Sequence, residues 1–260
     1  MSKNAVTKLW VMLLAVVFAL IVYNSIIVTE SPQDFEEDNL EMSNSIPDLR
    51  GEKDVITKKR KFFNALRPIV LEENKRIEQQ RNTLIQLQQN NSRSTADGKE
   101  IDALLKRYRL QRGKDNSVPW ERLLKRVDTV PIELVLSQAA NESSWGTSRF
   151  AREANNLFGQ WCFTKGCGIV PKRRNAGSKH EVASFKSAQA SVRSYLRNLN
   201  TGHVYADLRA IRAKKRAAGQ TATASELAGG LSKYSERGQE YVKEIRSMIE
   251  YNGKYMRGEG

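Results

Sequence analysis

The sequence contains few of the residues that bind metals or form thiolate nucleophiles. Its 260 residues include only two histidines and two cysteines. Two histidines are too few for the usual multi-histidine metal centres, and two cysteines cannot make a Cys₄ zinc site. No metal and no organic cofactor is implied, so carboxylates are the groups in which to look for chemistry.

Acidic side chains are outnumbered by basic ones. The chain has 29 Asp and Glu against 43 Lys and Arg, for a formal net charge of +14. An excess of this size favours an anionic partner, which could be nucleic acid, a membrane surface or an acidic polymer. The charge is unevenly distributed, because residues 30–56 carry −7 and residues 57–260 carry +19.

The N-terminal part of the chain lacks charge altogether over 21 residues, from Leu9 to Thr29. A helix of that length matches the hydrocarbon layer of a membrane, about 30 Å thick. Lys3 and Lys8 precede it and acidic residues follow it, so the positive-inside rule predicts a single-pass inner-membrane protein whose body lies in the periplasm. Residues 1–29 are thus predicted to be a cytoplasmic stub and anchor. A cleaved signal peptide is the alternative. Export in either form argues against a nucleic-acid partner.

The next two regions are predicted from composition and periodicity. Residues 30–56 hold nine acidic and two basic side chains and few large apolar ones, which predicts a disordered tether. Residues 57–127 form a predicted accessory helical region, with helices over Thr57–Asn90 and Lys99–Gln111. Pro68 is expected to kink or split the first of them.

Residues 128–260 are predicted to be the catalytic domain, mainly α in an α+β arrangement. Apolar spacing predicts its principal helices at Val130–Ser144, Ser187–Leu199, Tyr205–Ala218, Ser225–Leu231 and Gly238–Tyr251. Helical periodicity disappears over residues 160–183, where glycines separate short β-capable pieces. A small β-hairpin lobe is predicted there.

Glu142 combines several features of a catalytic acid. It ends a predicted buried helix, where the negative end of the helix dipole disfavours a carboxylate. Trp145 follows three residues later, and an apolar neighbour raises a carboxyl pKa by desolvation. A carboxylic acid that stays partly protonated near neutral pH suits glycosidic cleavage. A surface glutamate, or one that holds the following loop, is the alternative.

Two short motifs around Glu142 resemble a known family. The segment Gln138–Gly146 reads QAANESSWG, and residues 156–159 read NLFG. Together they resemble glycoside hydrolase family 73, the β-N-acetylglucosaminidases of autolysins and of a flagellar muramidase domain, which cut peptidoglycan. The resemblance covers roughly residues 128–252. With its anchor, its tether and the segment Tyr234–Gly238, the whole chain resembles the Bax-type family of bacterial proteins. The resemblance implies a lysozyme-like helical domain with Glu142 as general acid.

The resemblance also implies the remaining site residues. It places a second acidic residue in the β-lobe, where Glu181 is the match and Glu153 an outside candidate. Tyr234 matches the groove tyrosine of the family, although the following Tyr241 stands seven positions on instead of six. The residues implied to line the groove are Trp145, Asn156, Phe158, Gly159 and Trp161. Inverting, retaining and substrate-assisted mechanisms all stay open.

The two cysteines, Cys162 and Cys167, lie in one short loop. Export to an oxidising compartment favours a disulfide between them. A cysteine hydrolase that uses Cys162 with His180 or His203 is the alternative, and it is disfavoured because neither cysteine begins a helix. The basic runs at 172–174 and 212–216 are interpreted as solvated charge that is compatible with an anionic wall polymer.

The sequence therefore predicts a membrane-anchored periplasmic hydrolase that acts on the glycan strands of peptidoglycan. The predicted cut is the β-1,4 bond after N-acetylglucosamine. Two alternatives remain: a wall-binding or scaffolding module of weak or no activity, and a muramidase or lytic transglycosylase that cuts at the other sugar.

Overall fold

The computed structural model describes residues 46–90, 94–172 and 180–259. All of them belong to one compact unit, Ser43–Gly260. The predicted membrane anchor over 9–29 and most of the predicted tether lie outside the described residues. Within the described ranges, no helix is long and apolar enough to cross a membrane.

The described residues form a mainly helical fold with one small sheet, as predicted. The α-helices are α1 (Val55–Gln89), α2 (Thr95–Arg107), α3 (Trp120–Arg126), α4 (Ile132–Ser143), α5 (Arg149–Ala154), α6 (Ala188–Thr201), α7 (Ala206–Ala217), α8 (Ala224–Ala228) and α9 (Gln239–Arg257). Short 3₁₀ turns at His203–Tyr205 and Gly229–Leu231 flank α7 and α8. The strands are β1 (Trp161–Cys162), β2 (Gly168–Ile169) and β3 (Glu181–Ala183).

Helix α1 is continuous through Pro68, so the expectation that this proline splits the helix is wrong. A proline removes one backbone donor from the helix ladder. Apolar packing on both sides of it outweighs that loss, since α1 lies against α4, α6 and α9. Its fully buried side chains include Phe62, Phe63, Leu66, Val70 and Leu84.

The predicted tether ends earlier than residue 56. Leu49 is only 2% exposed and belongs to the hydrophobic core, so burial of its side chain orders the chain there. Asp54 then begins α1 as its N-cap, because its Oδ1 accepts a hydrogen bond from the Thr57 amide at 2.7 Å. The last residues of the acidic segment are therefore part of the folded unit.

Helix α4 lies at the centre of the fold. It packs against α1, α8 and α9, and Leu134, Val135 and Leu136 within it are fully buried. The core includes side chains from the predicted accessory region and from the predicted catalytic domain. The two regions thus bury apolar surface against each other.

Buried ion pairs join the same two regions. Asp128 is almost fully buried and forms ion pairs with Arg81 of α1 and with Arg212 and Arg216 of α7. Burial lowers the pKa of Arg212 to about 10. The interpretation of this basic run as solvated charge is therefore wrong for Arg212, which is buried and donates to backbone carbonyls, whereas Arg216 is exposed and binds the Asp128 carboxylate.

The β-lobe is a three-stranded antiparallel sheet with β3 in the middle, in the order β1-β3-β2. Trp161 pairs with Val182, Cys162 with Glu181, and Gly168 with Ala183. Gly168 has no side chain to accommodate, and a Cβ there would lie 1.9 Å from the carbonyl oxygen of Val182. Cys162 and Cys167 form a disulfide that closes the loop leaving β1.

Candidate active site

The turn that follows α4 has an unusual backbone. Ser144, Trp145 and Gly146 all have positive φ, at 52°, 59° and 74°. A bulky residue such as tryptophan rarely adopts this conformation, and such strain concentrates at functional sites. Ser143 fixes the turn, since its Oγ donates to the Ala139 carbonyl at 2.6 Å and accepts from the Gly146 amide at 2.8 Å.

The first helix supports this turn from outside. The Trp145 ring lies edge-on to the rings of Phe62 and Phe63, with centroids 5.9 and 5.3 Å away. At Gly146 a Cβ would come within 2.8 Å of the Ile46 side chain. Trp145, which is predicted to line the groove, is thus half-buried, because its ring packs against α1.

The carboxyl of Glu142 belongs to a chain of hydrogen bonds that crosses the core. Tyr195 Oη donates to Gln138 Oε1, Gln138 Nε2 donates to Tyr241 Oη at 2.9 Å, and Tyr241 Oη donates to Glu142 Oε1 at 3.0 Å. Gln138 lies one helical turn before Glu142 on α4. The phenol of Tyr241 has one proton, and that proton is directed at Oε1.

Burial raises the pKa of Glu142, and the nearby charge of Glu244 raises it further. Hydrogen bonds from Tyr241 and Asn141 and the charge of Arg237 act in the opposite direction. Burial also raises the pKa of Tyr241, so its phenol keeps the proton that it donates. The raised pKa that the sequence predicted for Glu142 is therefore present, and desolvation is its largest cause.

The NLFG loop brings a glycine against this carboxyl. Gly159 has a φ of 62°, and a Cβ there would lie 3.7 Å from Glu142 Oε2. Asn156 holds the loop: its Oδ1 accepts from the amides of Phe158 and Gln160, and its Nδ2 donates to the carbonyls of Gln160 and Ala183. The loop thus presents backbone, without a side chain, to the Oε2 side of the carboxyl.

Two residues predicted to line the groove are inside the protein. Asn156 is 1% exposed and has its donors and acceptors taken by backbone groups. Phe158 is also buried, with its ring stacked on Tyr195 at 3.9 Å between centroids. Neither residue has accessible surface with which to contact a substrate as expected. Both instead hold the NLFG loop in position.

Tyr234 lies next to the hydrogen-bond chain. Its ring stacks on Tyr241 at 5.1 Å, and its Oη donates to the Phe158 carbonyl at 3.0 Å. Burial and the charge of Glu142 raise its pKa well above the ordinary value. Tyr234 therefore joins the NLFG loop to the tyrosine that holds Glu142.

Glu181 occupies a different environment, in the middle strand of the β-lobe. It is 5% exposed. Its Oε1 accepts from the Gly166 amide at 3.1 Å and its Oε2 from the Gly168 amide at 2.9 Å. The carboxylate thus fastens the loop that the disulfide closes, and both oxygens already have backbone donors. Glu153, the outside candidate, is half-exposed and forms an ion pair with Arg149 on its own helix.

The other predicted residues of the lobe are at its surface. Trp161 is 59% exposed and stacks on His180 at 4.3 Å, which leaves part of the ring open to a ligand. Cys162, Cys167 and Glu181 place ligand-type atoms within 4.8 Å of one another. The two sulfurs share a disulfide, however, so neither provides a thiolate for a metal or for nucleophilic attack. The cysteine-hydrolase alternative is therefore excluded.

The chain was next compared with known proteins. The profile of a family described as Glucosaminidase, mannosyl-glycoprotein endo-beta-N-acetylglucosaminidase, matches residues 119–254. The chain is 35% identical over 223 residues to Protein bax of Escherichia coli strain K12, an alignment that covers 85% of this chain and 79% of that protein. No solved structure matches the chain. Both resemblances seen in the sequence are confirmed.

Proposed function

The chain belongs to the glucosaminidase family, and on that premise we propose that it is a peptidoglycan hydrolase that cuts the β-1,4 bond after N-acetylglucosamine. The observation that carries the proposal is the Glu142 carboxyl: it has a raised pKa, one oxygen held by Tyr241, and the other beside Gly159. A general acid needs a carboxyl of raised pKa that is next to space for the leaving oxygen.

The hydrogen-bond chain supports one assignment of the acid proton. Tyr241 directs its proton at Oε1 of Glu142, so Oε1 is an acceptor and Oε2 is the oxygen that carries the proton in the acid form of the carboxyl. Gly159 flanks Oε2 without a side chain. The glycosidic oxygen approaches there, takes the Oε2 proton, and leaves as the bond from the anomeric carbon breaks. The developing negative charge on Glu142 is then stabilised by the Tyr241 phenol.

The state of Glu181 favours a substrate-assisted route. Two backbone amides already bind its carboxylate, which leaves it poorly suited to act as nucleophile or base. The N-acetyl oxygen of the bound sugar instead attacks the anomeric carbon as the leaving oxygen departs. Water then opens the cyclic intermediate and returns a proton to Glu142. This route needs a single carboxyl and retains the anomeric configuration.

The larger setting is proposed from the sequence. The uncharged segment 9–29 anchors the chain in the inner membrane, and the acidic segment lets a lysozyme-like domain reach the wall from the periplasmic side. The family description names mannosyl-glycoproteins, whereas the +19 charge of residues 57–260 suits an anionic wall polymer.

Product analysis tests this proposal. Purified peptidoglycan is digested with the protein, the new ends are reduced, and the fragments are identified by mass spectrometry. We expect reduced N-acetylglucosamine at the new ends. Reduced muramic acid would assign a muramidase, and 1,6-anhydromuramic acid a lytic transglycosylase. Either result would contradict the proposed bond.

A wall-binding module without turnover is the second candidate function. The observation that favours it is the engagement of Glu181, which removes the most obvious second carboxylate of the site. A protein of this kind would sediment with peptidoglycan and release no reducing ends. The same digestion therefore separates the two candidates.

A further inference from the structure

A groove runs beside Glu142 on the side that faces α1. Its volume is about 610 Å³, and α1, the turn after α4 and α9 form its walls. Lys59, Trp145, Glu244, Tyr251 and Asn252 line it. Lys59 belongs to α1 and lies outside residues 119–254, so the family match does not include the α1 wall of the groove.

The groove is next to the helix end that carries the candidate catalytic carboxyl. Asn141, the residue before Glu142, lines the groove, and its side chain lowers the pKa of the Glu142 carboxyl. Glu244 also links the groove to this carboxyl, since it lines the groove and its negative charge raises the pKa of Glu142. The groove therefore lies close to the candidate catalytic carboxyl.

The chemistry of the walls is mixed. Trp145 and Tyr251 supply aromatic surface, and the Tyr251 side chain is 76% exposed. The Lys59 ammonium lies 5.4 Å above the Trp145 ring. Arg237 Nη1 is 2.6 Å from Glu244 Oε2, so Arg237 neutralises the negative charge of Glu244. The positive charge of Lys59 is then the net charge of the groove.

The floor of the groove contains an unmatched acceptor. Asn252 is almost fully buried, and its Nδ2 donates to the Met248 carbonyl at 2.9 Å. Its Oδ1 has no hydrogen-bond partner among the described residues. A buried acceptor without a donor is destabilising, and a ligand donor that reached Oδ1 would offset this. Amide N–H groups are donors of the required type.

We propose that this groove binds the peptide that branches from the glycan next to the cleaved bond. The inference rests on the proposed function, because peptidoglycan is the glycan that carries acidic peptides at alternate sugars. Peptide carboxylates match the free positive charge of Lys59, peptide amides match Asn252, and aliphatic parts of the peptide match the Trp145 and Tyr251 rings. The groove thus makes the enzyme selective for strands that still bear their peptides.

Paired substrates test this selectivity. One is an uncross-linked glycan strand with its tetrapeptides, and the other is the same strand after an amidase has removed them. The quantity measured is the ratio of kcat/KM on the first substrate to that on the second. Lys59→Glu replaces attraction by repulsion, and we expect it to lower this ratio about tenfold. Tyr251→Ala should lower the ratio about threefold.

Lys75→Glu is the matched control. Lys75 is exposed on the same helix, 16 residues further along and so roughly 24 Å from Lys59, and the charge change is identical. This variant should leave the ratio unchanged. If the ratio stays within twofold of the parent in both groove variants, or falls equally in Lys75→Glu, the peptide assignment is wrong.

Binding measurements keep this inference separate from the proposed function. If the parent releases no reducing ends from either strand, the hydrolase proposal fails. Calorimetry with the disaccharide tetrapeptide and with the bare disaccharide then tests whether the groove binds the peptide. Tighter binding of the first, abolished by Lys59→Glu and retained in Lys75→Glu, supports the peptide assignment. Equal binding of the two compounds overturns it.

Discussion

Glu142 in the helical body and Glu181 in the β-lobe are held in different ways. Glu142 ends a core helix and accepts a hydrogen bond on Oε1 from a phenol that is itself fixed by Gln138. Glu181 accepts two backbone amides, one on each oxygen. Donors to both oxygens stabilise the charged form, whereas burial with fewer donors favours the protonated form. Surroundings, more than residue type, decide which carboxyl is suited to donate a proton.

The two regions also differ in what holds them together. The body has a continuous apolar core to which α1, α4, α6 and α9 all contribute. The described strands of the lobe are two or three residues long, and a disulfide and the Glu181 carboxylate fasten the loop between them. We therefore expect substitutions in the body to act on global stability and those in the lobe to act locally.

Phe63→Ala should have the largest effect on stability. Phe63 is fully buried on α1 and contacts the Trp145 ring, so its truncation should lower the free energy of unfolding by about 3–5 kcal/mol. Leu71→Ala, on the exposed side of the same helix, is the control and should cost under about 1 kcal/mol. Urea unfolding measures both. Equal losses would mean that α1 does not support the catalytic turn.

Replacing both cysteines by serine should affect the lobe alone. The disulfide closes a loop with a sequence separation of five, for which chain entropy gives about 2 kcal/mol. Amide hydrogen exchange should speed up in β1, β2 and β3 and stay unchanged in α4. Faster exchange in α4 as well would show that the lobe and the body unfold together, which would contradict a purely local effect.

Glu181→Gln should weaken the lobe by about 1–2 kcal/mol, because the neutral amide accepts the Gly166 and Gly168 amides less strongly and offers one acceptor in place of two. Hydrogen exchange at these two amides measures the loss. Glu153→Gln removes a carboxylate from a half-exposed ion pair and should leave both amides unchanged. Unchanged exchange in Glu181→Gln would show that its carboxylate does not fasten the loop.

Tyr241→Phe should have the smallest effect and should show in the pH profile. The Tyr241 hydrogen bond lowers the pKa of Glu142, so its removal raises that pKa. A general acid loses activity as pH rises through its pKa. The basic limb of the kcat/KM profile should therefore move to higher pH, with a loss of about tenfold at the optimum. Tyr251→Phe, at an exposed tyrosine, should leave the limb in place on peptide-free strands.

Much of the body could be predicted from the sequence, since an amphipathic helix shows its buried face in its own spacing. Helix α4 was predicted at 130–144 and spans Ile132–Ser143. The raised pKa of Glu142 was also predictable, because a helix end and an apolar neighbour are local signals. The NLFG motif was found as well, although Asn156 and Phe158 hold the loop from inside.

The partners of the carboxyls could not be predicted, because the contacts depend on the folded chain. Tyr241 is 99 residues from Glu142, and Tyr195 is 57 from Gln138. The sequence shows the seven-residue spacing between Tyr234 and Tyr241, yet nothing local links either residue to Glu142. The donors to Glu181 are backbone amides, which leave no residue signature. The burial of Leu49 likewise depends on a core that is assembled from distant helices.

Parallel digestion of purified peptidoglycan by Glu142→Gln and Glu181→Gln tests the central claim most directly. Each substitution neutralises one carboxyl and keeps its size, at the partly buried Glu142 or at the buried Glu181. Released reducing ends, measured as initial rates with circular dichroism to check folding, give the comparison. The account predicts a loss of roughly 10³-fold or more for Glu142→Gln, typical of a lost general acid that also bears transition-state charge, and about tenfold at most for Glu181→Gln. Equal losses, or a larger loss for Glu181→Gln, would contradict it.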